Sequence, residues 1–308
     1  MTETAQLTKT EVAAALAWPK ITLVTAVFNG VRYIEDTIRS IISQDYPNLE
    51  YIIVDGASTD GTVEIIRKYE KHLAWWISEP DRGVYDAINK GFARSTGEIM
   101  GWLNASDLLH VGSLFVVGSV FRSFQEVEWL TGRPAGLNEE GMFVYVRPVP
   151  HWSRRRYLMG ANKHIQQEST FWRRSLWERA GSYTDTSYRA EGDCDLWVRF
   201  FRHARLYSVD ALIGGWRLHP DSLSHENIAR YDQGCDDIVR RELSRTPEYR
   251  GLHVLRRISR AVMRVPKVRF VWRTLVLRSV DWCLYNLPSP DWPPVIEYQK
   301  DRWGMRGR

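Results

Sequence analysis

Apolar residues in the first hundred positions alternate between two spacings, and the alternation repeats. Residues 21–27, ITLVTAV, form an unbroken apolar and β-branched run ending at Asn29-Gly30, which predicts a buried strand and its turn. Val31, Ile34, Ile38, Ile41 and Ile42 then recur at helical spacing, stopping before Pro47. YIIVD at 51–55 predicts a second buried strand. Ser58, Thr59 and Asp60 suit the N-cap of a helix carrying Val63, Ile66 and Tyr69. A strand at 73–78 follows, then a helix with Val84, Ala87, Ile88, Gly91 and Phe92 on one face, then an apolar strand at 98–103. This is the pattern of βαβ units, so the expected fold class is α/β, a mainly parallel sheet flanked by helices.

Beyond residue 110 the alternation loosens. A helix is expected at 113–124, short strands at 127–131 and 142–147, a basic-aromatic loop at 151–156, and helices at 174–180 and 194–203. From about residue 226 the chain is Arg-rich, with Leu252, Leu255, Ile258, Val262 and Val265 at amphipathic spacing. The expected organisation is an extension at 1–19, a sheet domain at 20–225, and a basic amphipathic helical tail at 226–308.

Two nucleotide-binding signatures are absent. No G-x-G-x-x-G follows the first strand, and no G-x-x-x-x-G-K-[ST] occurs in the chain. Polar residues follow the strands instead: Asp55 ends the second, and Asn104-Ala105-Ser106-Asp107 follows 98–103. Open α/β sheets bind ligands at the carboxyl ends of their strands, which makes these positions the place for chemistry.

Composition narrows the class. The 308 residues are 44% hydrophobic and 26% charged, which excludes a disordered chain, a collagen or a small disulfide scaffold. Cys194, Cys235 and Cys283 form no C-x-x-C pair and no zinc spacing, so no disulfide framework is expected and a reducing cytosol is the natural reading. The N-terminus does not read as a signal peptide, and no run approaches the ~20 apolar residues of a membrane span. Net charge is +5, yet residues 251–308 hold 12 Lys+Arg against four acids, leaving about −3 for residues 1–250. A basic amphipathic tail predicts contact with an anionic membrane surface. Because its charges are interleaved with a large apolar face, nucleic-acid binding is not expected.

Four stretches carry a resemblance: TLVTAVFNGVRYIEDTIRSIISQDYPNLEYIIVDGASTDGT (22–62), SEPDRGVYDAINKGFARSTGEIMGWLNASD (78–107), QQESTFWRRSLWERAGSYTDTSYRAEGDCDLWVRF (166–200) and WRLHPDSLS (216–224). Together they resemble glycosyltransferase family 2. The resemblance implies a GT-A fold and an inverting transferase that moves a sugar from a nucleotide-sugar donor, a UDP-sugar foremost, to an acceptor hydroxyl. It further implies cell-surface polysaccharide or glycoconjugate synthesis on a carbohydrate or lipid-linked acceptor, with the protein cytoplasmic and peripheral at the inner face of the plasma membrane. Two other readings compete. A sugar-nucleotide pyrophosphorylase would need a Gly-rich, Arg-containing loop that VFNGVRYIED lacks, and a binding or scaffold module would be a transferase whose metal site has decayed.

The resemblance assigns residues to roles. Asp193 matches the position of the catalytic base; as a residue it equally suits a helix cap, and Asp195 and Glu191 are the next candidates. Thr25, Val27 and Asn29 match the grip on base and ribose. Asp55 would accept from base or ribose, or cap the following turn. Asp86 and Asn89 share a helical face that would meet the sugar or ribose, or only solvent, and Arg82 would contact the diphosphate. Asn104 through Asp107 occupies the family's metal motif, with Ser106 where a carboxylate is usual. Asp107 alone remains, joined by His219 as a further ligand or as a surface histidine before Pro220. A divalent Mg²⁺ or Mn²⁺ would therefore be held weakly. On the acceptor side stand Gln167, Glu168, Trp102 and Trp172; the two tryptophans suit site lining or core, whereas Trp75, Trp76, Trp177 and Trp197 read as core.

Overall fold

The computed structural model describes residues 18–159, 164–220, 228–246, 293–299 and 301–306. The first half alternates as expected: β1 (Ile21–Val27), α1 (Ile34–Ile42), β2 (Leu49–Asp55), α2 (Thr62–Lys68), β3 (Trp75–Ser78), α3 (Val84–Arg94) and β4 (Ile99–Trp102). Then come β5 (Leu108–Leu109), α4 (Ser113–Ser123), β6 (Trp129–Thr131), β7 (Ala135–Leu137), β8 (Phe143–Val146) and α5 (Arg154–Met159). The remaining elements are β9 (Thr170–Arg173), α6 (Arg174–Arg179), α7 (Gly192–Phe200), β10 (Leu206–Ser208), β11 (Gly214–Arg217), α8 (Ile228–Arg245), β12 (Val295–Gln299) and β13 (Arg302–Arg306).

The main sheet runs β10-β6-β9-β4-β1-β2-β3. β1 pairs in parallel with both β2 and β4, and β9 enters antiparallel between β4 and β6. A second sheet, β5-β11-β7-β8, lies at the strand ends. The two faces of the main sheet follow the two-residue period of its strands. Val24, Ala26, Ile52, Val54, Met100 and Trp102 meet α3, α6, α7 and α8, while Leu23, Val27, Tyr51, Ile53 and Leu103 meet α1 and α4. A single-residue shift in register would exchange the two cores.

Three expectations need correction. Of the loop expected at 151–156, residues 154–156 are instead the start of helix α5, because Trp152, Tyr157 and Leu158 turn their apolar groups into the core beside Phe201. The expected boundary at residue 225 does not separate a tail from the sheet domain. Cys235, Ile238, Val239 and Leu243 of α8 belong to the same core as α7, and β12 and β13 form a hairpin whose Ile296 bridges Val209. Third, Cys194 and Cys235 are joined in a disulfide, because α8 folds across α7 and brings their Cα atoms to 5.7 Å. Spacing along the chain could not reveal that approach, and the bond removes the support that cysteine spacing gave to a reducing compartment. Residues 1–17 of the extension expected at 1–19, and the amphipathic stretch at 251–285, lie outside the described residues. Among the described residues, no helix is long and apolar enough to cross a membrane.

At the end of the sheet opposite the strand-end polar residues, Glu50 is a buried carboxylate. It accepts from Thr22 Oγ1 (2.5 Å), from Thr96 N and Oγ1 (both 2.6 Å), and pairs with Lys20 Nζ (2.8 Å). Burial alone would raise its pKa; the bonds from Lys20, Thr22 and Thr96 outweigh burial and bring it down to about 2. A lowered folded-state value means stability that is present above the unfolded carboxyl's pKa and lost as pH falls toward the folded one. Glu50→Gln should therefore cost roughly 2 kcal/mol at pH 7, a difference that shrinks between pH 4 and pH 2. Denaturant unfolding at a series of pH values measures it, and a pH-independent difference would contradict this account.

Candidate active site

The ends of β1 and β2 are sewn together by side chains. Asp55 is fully buried, and its carboxylate accepts from Ser58 N (3.0 Å), Ser58 Oγ (2.5 Å) and Ser78 Oγ (2.6 Å). Asn29 has a left-handed backbone (φ 48°); its N–H donates to Ser58 Oγ (2.7 Å) and its amide oxygen accepts from Thr59 N (3.0 Å). The Val27 carbonyl accepts from Gly56 N (2.8 Å). Thr25 is buried and its hydroxyl accepts from Tyr51 (3.1 Å), so its side chain serves the core. The turn-capping geometry of Asp55 is thus present in full, and the same carboxylate fixes the loop beside which Asn29 stands.

On α3, Arg82 is mostly exposed and donates to Asp86 (2.9 Å); that bond, set against partial burial, lowers the Asp86 pKa. Asn89 shares the face with Asp86 as expected, but its amide is committed to the backbone of Thr184, donating to the carbonyl and accepting from the N–H at 2.7 Å each. Asn89 therefore locks the loop that leads to α7.

The Asn104–Asp107 segment turns under α1, where the Thr37 hydroxyl donates to the carbonyls of Ala105 and Asp107 at 2.9 Å. Asp107 is buried, accepting from Arg217 N (2.9 Å) and more weakly from Asn104 Nδ2 (3.3 Å). Arg217, a residue the sequence reading passed over, is fully buried on β11 with its guanidinium 4.7 Å over the Tyr33 ring and bonded to Asp36 (3.1 Å) and the Glu139 carbonyl (2.6 Å). His219 lies two residues on, its ring 4.8 Å from that of Tyr33. β11 can sit this close only because Gly214 has no side chain: a Cβ there would lie 2.1 Å from the Glu168 carbonyl oxygen.

Glu168 links the two halves of the site. It is buried, and its pKa is raised well above the ordinary value by burial first, then by the carboxylate of Asp107, with a smaller contribution from Asp193. Burial likewise raises Asp107. Gln167 donates to the Trp102 carbonyl. Trp102 and Trp172, considered for acceptor contact, are interior: they stand 5.5 Å apart in an aromatic cluster with Trp129, Trp177 and Trp197, where Trp102 stacks on Trp197 at 5.8 Å. Their large apolar surface is better spent in the core, so the acceptor-side role falls away from both.

Asp193 sits in the first turn of α7 rather than at its N-cap, which is Glu191. One carboxylate oxygen accepts from Cys194 N (2.7 Å), and the other accepts from the Tyr231 hydroxyl of α8 (2.9 Å). The Asp193 N–H reaches Tyr85 Oη (3.3 Å), and Tyr85 donates to the Ala190 carbonyl (2.6 Å). A Cβ at Gly192 would come within 2.7 Å of the Tyr85 ring, so this close approach requires glycine. Burial raises Asp193 from the ordinary carboxylate range to about 6, and the Tyr231 bond is the strongest influence in the other direction. Asp195 is engaged by Arg199 (2.8 Å) and Glu191 by Ala190 N (3.0 Å).

Residues 22–116 match the family model Glycosyl transferase family 2. An uncharacterized glycosyltransferase of Mycobacterium tuberculosis is 29% identical over 174 residues, covering 54% of this chain and 63% of the relative. Poly-beta-1,6-N-acetyl-D-glucosamine synthase of Staphylococcus epidermidis is 25% identical over 233 residues, 72% of this chain and 56% of the synthase. The chain thus spans less than two thirds of the length of these relatives. Two solved structures share the fold. S. aureus TarS 1–349 in complex with UDP-GlcNAc superposes with a TM-score of 0.57 at 14% identity over 93% of this chain and 96% of that one. The mannosyltransferase PcManGT from Pyrobaculum calidifontis, with GDP-Man and Mn²⁺, gives 0.53 at 17% over 88% and 89%. The sheet is thus of GT-A type.

The residues do not fit a resident divalent metal. Asp107 is the motif's lone carboxylate, it is buried with both oxygens engaged by donors, and burial favours its protonated form. Among the described residues, no group of three His, Cys, Asp or Glu could hold an ion. A weakly coordinating Ser106 is the change to reverse. We expect Mn²⁺ to bind the purified protein no tighter than millimolar, and Ser106→Asp to tighten it by on the order of tenfold. Calorimetric titration measures both, and micromolar binding to the unaltered protein would contradict the expectation.

Proposed function

We propose that this chain transfers a sugar, with inversion, from a UDP-sugar to the hydroxyl of a carbohydrate or lipid-linked acceptor in polysaccharide or glycoconjugate synthesis. The observation that carries the reading is Asp193: a buried carboxylate in the first turn of α7, held by two donors and tuned to about 6. A general base works best with a pKa near the working pH, where it is ionised yet still basic. The GT-A fold, and the nucleotide sugars bound to structural neighbours, support a nucleotide-sugar donor. In the reaction, Asp193 takes the proton of the acceptor hydroxyl as its oxygen attacks the anomeric carbon. The bond from that carbon to the diphosphate oxygen breaks, and UDP leaves from the opposite face. Asn29 and Asp55 form the nucleotide edge. A peripheral position at an anionic membrane surface belongs to the same proposal, supported by the +8 charge of residues 251–308.

Replacing the base should leave binding and remove chemistry. Asp193→Asn should lower kcat by about 10²–10⁴, with donor affinity within roughly threefold of normal. In the unaltered protein the base must be ionised, so turnover should climb through pH 6 and level off above pH 7. UDP release from UDP-GlcNAc with a panel of acceptors measures both; near-normal turnover by Asp193→Asn would refute the role.

A further inference from the structure

We infer that Tyr231 is a positioning residue for Asp193, and that α8 is the strut that delivers it. The inference rests on Asp193 acting as the base. Tyr231 and Cys235 are one helical turn apart on α8 and face α7 together: the tyrosine hydroxyl donates to the second carboxylate oxygen of Asp193 at 2.9 Å, and Cys235 is bonded to Cys194, the next residue after Asp193. The same hydroxyl lies 3.3 Å from Cys194 Sγ. Farther along the helix, Glu242 is buried and accepts from Arg202 (2.6 Å) and Arg154 (3.0 Å), and Ile238, Val239 and Leu243 fill the core. A disulfide, a buried ion cluster and an apolar stripe thus fix the register of one helix, and its product at the site is one hydroxyl on one carboxylate.

That bond has two consequences. It fixes the rotation of the carboxylate, leaving the lone pairs not used by Cys194 N and Tyr231 to meet the acceptor proton. It also favours the ionised form against burial. The other groups facing Asp193 are Tyr85 from α3, Tyr157 from α5, His164 from the segment before β9, Glu168 from the turn ahead of β9, and Glu191 and Asp195 from α7 and its cap. Tyr85 bonds the backbone N–H, His164 acts at longer range and is itself bonded to Asp232 (2.7 Å), and the carboxylates oppose ionisation. Among the described side chains, the bond to the carboxylate itself comes from Tyr231.

Tyr231→Phe keeps the ring and removes the hydroxyl. In protein labelled with ¹³C at aspartate side-chain carboxyls, the signal missing from Asp193→Asn identifies residue 193, and its titration is read without substrate. The expected result is a midpoint in Tyr231→Phe about one pH unit above that of the unaltered protein. Turnover of UDP-GlcNAc should fall about tenfold at pH 5.5 and recover to within threefold at pH 8, with KM for the donor unchanged. An unmoved midpoint, or equal loss at both pH values, would overturn the inference. The titration stands whether or not transfer is found, so a protein that releases no UDP under any condition refutes the transferase reading and leaves the carboxylate result intact. A second variant, Cys194→Ser with Cys235→Ser, should shift the midpoint in the same direction by loosening the strut; no shift there would confine the effect to the hydroxyl and overturn the strut.

Discussion

The constraint on which the site depends is a carboxylate kept out of water. Asp193 is nearly buried, and an ionised carboxyl in that position costs several kcal/mol unless donors meet it. Two do, one from its own turn and one from a helix that arrives 38 residues later. The tryptophan cluster beneath α7, the Gly192 contact with Tyr85, and the Asn89 clamp on the preceding loop all serve to hold that turn still. The balance between desolvation and hydrogen bonding sets the basicity of Asp193.

The opposite side of the site shows the same physics with a different result. Asp107 and Glu168 are both buried, and burial outweighs the donors each has and pushes both toward the protonated form, with the Asp107 carboxylate adding to the effect at Glu168. A fixed cation, the Arg217 guanidinium, lies behind Asp107 but spends itself on Asp36 and a carbonyl. The segment N-A-S-D therefore offers little of the donor strength a metal site needs. Placement comes from backbone topology and binding strength from side chains, so the two separate when a carboxylate becomes serine.

Much of the sheet was legible because strand and helix periods are local. β1 to β4 and their helices follow from residues 21–103 read in short windows, and Asp193 was marked by the family resemblance, the residue alone suiting a helix cap equally well. What could not be read is contact at long separation. Nothing near Tyr231 signals that its hydroxyl meets Asp193, and the spacing of Cys194 and Cys235 is uninformative until α8 is seen to fold back. Trp102 and Trp172 misled for a related reason: an aromatic beside a polar strand end suits a sugar or a core equally, and only the face of the strand decides. The short β9, inserted antiparallel between β4 and β6, carries the apolar run TFW too briefly to be told from a helix start.

The most direct test of the account is a crystal structure of the protein with UDP-GlcNAc bound. It should place the uracil against the Asn29–Asp55 edge and the diphosphate beside Asp107. The Asp193 carboxylate should face the anomeric carbon from the side opposite the diphosphate, with room between them for one hydroxyl. A donor bound with Asp193 on the diphosphate side, or with its anomeric carbon far from α7, would contradict the assignment of the base and the transfer built on it.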